Sequence, residues 1–82
     1  AGHRVLTGLM ATYCQAIANT HGRDHHARAD QMILALLPER FRKNRATLYR
    51  KLLGVCDYVA GMTDSYAVSL YKKITGISLP VN

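Results

Sequence analysis

Five residues able to ligate a metal fall within ten positions: His21, Asp24, His25, His26 and Asp30. His21 and His25 stand at i, i+4, a spacing that puts two imidazoles on one helical face in zinc sites. Thr20 and Gly22, however, mark this stretch as a loop, and neither Cys nor Glu joins the group. The histidines therefore read as a solvated polar connection. Nucleophilic chemistry has no better foothold. Cys14 and Cys56 lie in apolar-periodic segments that predict burial, and no serine sits in a strained elbow beside a base. Gly54 and Gly61 are seven apart within a helical pattern, which is no phosphate-cradling loop.

Charge supplies the next candidates. Arg40, Arg42, Lys43, Arg45, Arg50 and Lys51 form a basic run that could meet phosphates of nucleotides or nucleic acid. Only Phe41 and Tyr49 accompany it, too few aromatics for a base-stacking groove. Asp57 stands out for another reason. Its helical neighbours Leu53, Gly54, Ala60 and Gly61 are small or apolar. A carboxylate there is either exposed beside a bare patch or buried against a cation, because burying it unpaired costs several kcal/mol. Arg4, Lys72 or a residue outside this piece is the expected partner for the buried case.

These residues must be positioned by helices, since no strand-period alternation or hairpin signal occurs. Residues 3–19 predict a first helix with the ridge Leu6–Leu9/Met10–Tyr13–Ile17, stopped by Asn19, Thr20 and Gly22. A shorter second helix is expected from about Ala27–Asp30 to Leu37, where Pro38 forces a break. Pro38-Glu39-Arg40-Phe41 reads as a turn or a first helical turn. The main helix is expected from Asn44–Thr47 to about Gly61, burying Leu48, Leu52, Val55, Val59 and Met62 at 4, 3, 4, 3 spacing. Gly54 and Gly61 predict close approach of another backbone. Thr63 is placed to cap a last helix, with Asp64 at its positive end. Val68, Tyr71 and Ile74, joined by Ala67 and Leu70, form the inner face, Lys72 and Lys73 sit near the negative end, and Gly76 and Pro80 are the expected stop. Tyr58, Tyr66 and Tyr71 read as core or interface residues. The expectation is an all-α bundle of about four helices, one unit over residues 1–82.

Whole-chain properties narrow the class. Eighty-two residues suffice for one small domain, or for a piece of a larger one. Eleven Lys and Arg against five Asp and Glu give a net charge of +6, which permits contact with phosphates. No run of about 18 apolar residues spans a membrane, and no signal peptide is visible. Two cysteines in apolar segments predict buried free thiols of a cytosolic protein. The start at Ala1 without methionine suggests an excised piece.

One stretch is specific. Asp57-Tyr58-Val59-Ala60-Gly61-Met62-Thr63-Asp64-Ser65-Tyr66-Ala67 resembles a signature near the end of deoxyguanosine triphosphate triphosphohydrolase-like proteins. Leu70-Tyr71-Lys72-Lys73 and Gly76-Ile77-Ser78-Leu79-Pro80 resemble the tail of the same family. Ala1-Gly2-His3-Arg4-Val5-Leu6 is similar to the helix that opens its C-terminal subdomain, and Leu36-Leu37-Pro38 fits the connection. The resemblance implies a helical HD-superfamily phosphohydrolase that cleaves a deoxynucleoside triphosphate to the deoxynucleoside and triphosphate. It implies a metal site of a His, a His-Asp pair and a later Asp. No His-Asp dipeptide occurs here; Asp24-His25 runs in the opposite order.

The chain is then expected to be a C-terminal subdomain with no catalytic residue, metal ligand or cofactor of its own. A divalent metal, Mg or Mn, is expected in the parent. Arg4, Asp57, Asp64 and Tyr66 are candidates for substrate-binding or structural roles. Expected partners are the rest of the parent chain, homo-oligomer subunits and, through the parent, the deoxynucleotide, in the cytoplasm and without a membrane. The alternative is a self-standing basic helical module that binds nucleic acid through Arg40 to Lys51, or that oligomerises.

Overall fold

A computed structural model describes residues 3–23, 26–42 and 47–78 of the chain, all of the regular structure being helical. The helices are α1 (His3–Thr20), α2 (Arg28–Ala35), α3 (Glu39–Arg42), α4 (Leu48–Ala60) and α5 (Asp64–Ser78). Four are the expected ones, and α3 is the helical turn expected after Pro38, whose carbonyl accepts from the Phe41 amide at 2.9 Å. The expected beginning of the main helix at Asn44–Ala46 lies outside the described residues. So do the expected stop at Pro80 and the start at Ala1-Gly2.

The helix α1 is the spine, packed against α2, α4 and α5. Leu9, Tyr13, Ala16 and Ile17 recur at helical spacing and are buried, which makes one continuous stripe. Against it lie Ile33, Leu37, Val55, Tyr58, Val59, Ala67, Leu70 and Ile74. At the end of α1, Thr20 is buried yet satisfied, its hydroxyl donating to the Ala16 carbonyl at 2.9 Å. Gly22 then takes φ of 70°, the left-handed conformation that lets a helix turn away without a Cβ penalty. The molecule is only 18 Å along its shortest dimension, about two helix diameters of roughly 10 Å. Each helix therefore keeps one face on the outside.

Several expectations are corrected. Of the expected inner stripe, Val55 and Val59 are buried and Leu52 and Met62 pack on the core, but Leu48 at the helix start is exposed, and Gly54 and Tyr58 join the buried face. The Tyr58 ring lies between Tyr13 and Phe41, with centroids 6.1 and 5.2 Å away, which sets the 54–58 side inward and leaves Tyr49, Leu53 and Cys56 outward. Cys56 is thus exposed and Cys14 half-buried, both as free thiols, rather than both buried. Gly61 is an exposed C-cap whose nearest neighbours are carbonyls of its own helix, so it serves no close approach. A close approach is made at Gly8 on α1, where a Cβ would stand 2.5 Å from the ring of Tyr71 on α5.

Gly76 does not stop α5, which continues to Ser78. Ile77 packs on the core one turn beyond buried Ile74, and that burial carries the helix through the glycine. Lys72 and Lys73 consequently sit mid-helix rather than in the last turn.

Candidate functional site

The corner between α4 and α5 is built as its residue types require. The last turn of α4 tightens, with the Gly61 amide donating to the Tyr58 carbonyl and the Met62 amide to the Val59 carbonyl, at 3.3 and 3.2 Å. Thr63 then caps α5, its hydroxyl oxygen accepting from the Tyr66 amide at 3.2 Å. Asp64 occupies the first turn, where a negative charge complements the helix dipole. Thr47 does for α4 what Thr63 does for α5, accepting from the Arg50 amide at 3.1 Å. The sequence reading missed that cap, although a threonine just before an apolar run is its signal.

One turn past its cap, Tyr66 reaches back over α4, and the phenol oxygens of Tyr58 and Tyr66 meet at 2.6 Å. Tyr58 is buried and Tyr66 is half exposed, so the pair carries a polar contact from the core to the surface. Their rings cross edge to face, centroids 6.3 Å apart. Burial first, then the hydrogen bond with Tyr66 and the neighbouring Tyr13, push the Tyr58 phenol well above its ordinary range. Tyr13 lies deeper still, and its hydroxyl finds no hydrogen-bond partner among the described residues. Burial and the nearby Tyr66 raise it to about 12. The Tyr13 and Tyr58 phenols are therefore neutral at physiological pH, and the Tyr58 hydroxyl acts through its hydrogen bond rather than through charge.

In front of the Tyr58–Tyr66 pair opens a cleft of about 480 Å³ between the α4–α5 corner and the Pro38–Phe41 turn. Asp57, Tyr66 and Thr63 form one wall, and Arg40 and Phe41 the other. The Arg40 guanidinium carbon stands 4.8 Å from the Phe41 ring centroid, a cation–π contact over the aromatic face. The cleft thus offers a carboxylate, a guanidinium, an aromatic face and a phenol within one concavity. Such a mixture suits a ligand with both apolar and polar parts.

The predicted candidates are only partly gathered here. Asp57 and Tyr66 share the cleft, whereas Asp64 lies on a separate shallow face of α5 with Ser65, Val68 and Lys72. Arg4 is exposed on α1, outside the residues that line the cleft. Asp57, Arg4 and Lys72 are all exposed, so among the described residues Asp57 takes the exposed alternative rather than burial against Arg4 or Lys72. Of the basic run, Arg40 joins the cleft and Arg50 is exposed. Lys51 lines a different pocket with Ile17, Thr20, Leu34 and Leu37. The described basic residues therefore do not make a single strip. Lys43 and Arg45 lie outside the described residues, as does the side chain of Arg42.

Two of the loop histidines, His21 and His26, are described. His26 Nε2 donates to the Arg23 carbonyl at 2.8 Å, and the Gln31 amide donates to the His26 carbonyl at 2.9 Å. His21 is half-buried with Nδ1 unpartnered, while Asp24 and His25 lie outside the described residues. Among the described residues no three His, Cys, Asp or Glu converge as a metal site would require, and no helix is long and apolar enough to cross a membrane.

Comparison with known proteins bears on this corner directly. The model of the phosphohydrolase-associated domain matches residues 2–73. A deoxyguanosinetriphosphate triphosphohydrolase-like protein of Listeria monocytogenes is 31% identical over 90 residues, covering 95% of this chain and 19% of its own. Proteins of the same description from Pseudomonas aeruginosa and Synechocystis are 36% and 34% identical over 78 and 79 residues. They cover 95% and 96% of this chain, and 18% and 17% of themselves. The chain thus spans about a fifth of the length of these curated relatives. No solved structure matches it. With the family model running through α1 to the middle of α5 and across the 57–67 corner, this chain belongs to the phosphohydrolase-associated domain family.

Proposed function

We propose that this chain is the C-terminal helical subdomain of a metal-dependent deoxynucleoside triphosphate triphosphohydrolase. The parent cleaves its substrate to the deoxynucleoside and inorganic triphosphate, acts in the cytoplasm and works as a homo-oligomer. The observation that carries the reading is the match of 95% of the chain to proteins described as deoxyguanosinetriphosphate triphosphohydrolase-like, of which it forms about a fifth.

The chemistry belongs to the rest of the parent. A divalent metal, Mg or Mn, would activate water and polarise the attacked phosphate there, but the described residues of this chain offer no donor group that fits it. The subdomain packs on the catalytic core and closes the nucleotide pocket with the α4–α5 corner. Thr63 fixes where α5 begins, and the Tyr58–Tyr66 contact fixes how it crosses α4. The corner therefore presents Tyr66 and Asp57 in a set geometry.

The test incubates the full-length protein and the 82-residue chain separately with each deoxynucleoside triphosphate and Mg²⁺ or Mn²⁺. Triphosphate and deoxynucleoside should appear in equal amounts with the full-length protein and not with the chain. Stepwise release of single phosphates would sink the reaction assigned. Triphosphate release by the 82 residues alone would sink the placement of the chemistry elsewhere.

A further inference from the structure

The outward face of α4 is as apolar as its inward face. Tyr49, Leu53, Cys56 and Ala60 stand at i, i+4, i+7 and i+11, a single stripe of an α-helix, and all are exposed. Tyr49 is 70% exposed and Leu53 42%. With Leu48, α4 contributes three of the six large apolar side chains exposed among the described residues. The buried stripe of Gly54, Val55, Tyr58 and Val59 runs along the opposite side. A helix with only one partner carries charge on its back; a helix apolar on two faces is covered on both. Here charge only edges the outer stripe, as Arg50 near its beginning and Asp57 near its end, both exposed and on the same flank.

We propose that this stripe is the docking face for an apolar helix from another part of the same longer protein. The proposal rests on the portion of the functional reading that makes this chain a segment of a parent. Three observations select that occupant. The relatives are about five times longer than this chain, so most of their mass is available to cover it. The stripe is also small: from Tyr49 to Ala60 it runs about 16 Å at roughly 1.5 Å per residue, three turns of helix. Such a strip presents a few hundred Å², short of the roughly 800 Å² per partner that a specific complex of separate chains buries. Within one chain a smaller contact suffices, because the covalent link supplies a high effective concentration. Finally, the charged flank is of mixed sign. The docking helix then carries an acid facing Arg50 and a base facing Asp57, around an aliphatic face three turns long.

Cys56, in the middle of the stripe, reports on its cover. The full-length protein is treated with a small maleimide, natively and in urea, and modification of the Cys56 peptide is followed by mass spectrometry. Labelling should be at least about tenfold slower in the native protein, since a thiol reacts only where reagent reaches it. The protection should not change over about a hundredfold dilution, which would dissociate a contact between copies. Native labelling at close to the urea rate overturns the proposal. Protection that disappears on dilution also overturns it and assigns the face to a second copy. Triphosphohydrolase activity is measured on the same sample. An active enzyme with freely labelled Cys56 overturns the docking face alone. A protected Cys56 in a protein inert towards deoxynucleoside triphosphates supports the docking face and overturns the reaction assigned.

Discussion

The phenol oxygens of Tyr58 and Tyr66 lie 2.6 Å apart, joining the buried face of α4 to the half-exposed start of α5. The bond ties together the two helices that share the stretch from Asp57 to Ala67. Removing either hydroxyl should loosen the corner by about 0.5–1 kcal/mol, the net worth of one such bond discounted for the exposure of Tyr66. Tyr66→Phe should cost more than Tyr58→Phe, because it leaves the buried Tyr58 hydroxyl without a partner, whereas Tyr58→Phe leaves only the half-exposed Tyr66 hydroxyl, which water can satisfy. A double-mutant cycle read by thermal unfolding should return a coupling of that size. Additive single effects would show that the contact contributes nothing to stability.

The hydroxyl of Thr63 caps α5 at 3.2 Å. Thr63→Ala should destabilise by about 1 kcal/mol, and Thr63→Ser should restore most of the loss. Chemical denaturation of the three proteins gives the comparison. Equal midpoints for threonine and alanine would mean that α5 starts without its cap.

Gly8 faces the ring of Tyr71 with no room for a Cβ. Gly8→Ala gains about 1 kcal/mol of helix propensity but forces the ring aside, at a cost of roughly 1–3 kcal/mol for overpacking. The net change should be a lower melting temperature. Combining it with Tyr71→Leu, which vacates the clashing atoms, should recover stability relative to Tyr71→Leu alone. A Gly8→Ala protein that melts higher than the original would contradict the close approach.

Tyr13 carries the pH prediction. Its phenol is raised to about 12 from the ordinary value of about 10, so the folded state holds the proton more tightly than the unfolded state. The stabilisation is complete below pH 10 and is lost as pH climbs from about 10 to about 12, by on the order of 2 kcal/mol. Tyr13→Phe should remove that share of the alkaline loss. At neutral pH it should leave stability unchanged or improve it by up to about 1 kcal/mol, because the buried hydroxyl has no partner to lose. Thermal melts from pH 8 to 12 on both proteins measure this, and parallel curves would show that Tyr13 does not titrate with unfolding.

Local signals alone determined much of this protein. The 3.6-residue periodicities, Gly22 after α1, Pro38 after Leu37 and Thr63 before α5 each act within a few residues, so the helices and the corner were legible without a partner in view. The run from Asp57 to Ala67 likewise carried the family by its own order of residues. Only the tertiary structure decided the rotation of α4, because a helix apolar on two sides has no preferred face until a large ring such as Tyr58 finds its cavity between Tyr13 and Phe41. That rotation put Cys56 and Asp57 on the outside, while the close approach at Gly8 comes from the packing of α1 on α5. The cleft was also beyond reach of the sequence, since Arg40 and Phe41 meet Asp57 and Tyr66 across chain separations that no spacing rule encodes.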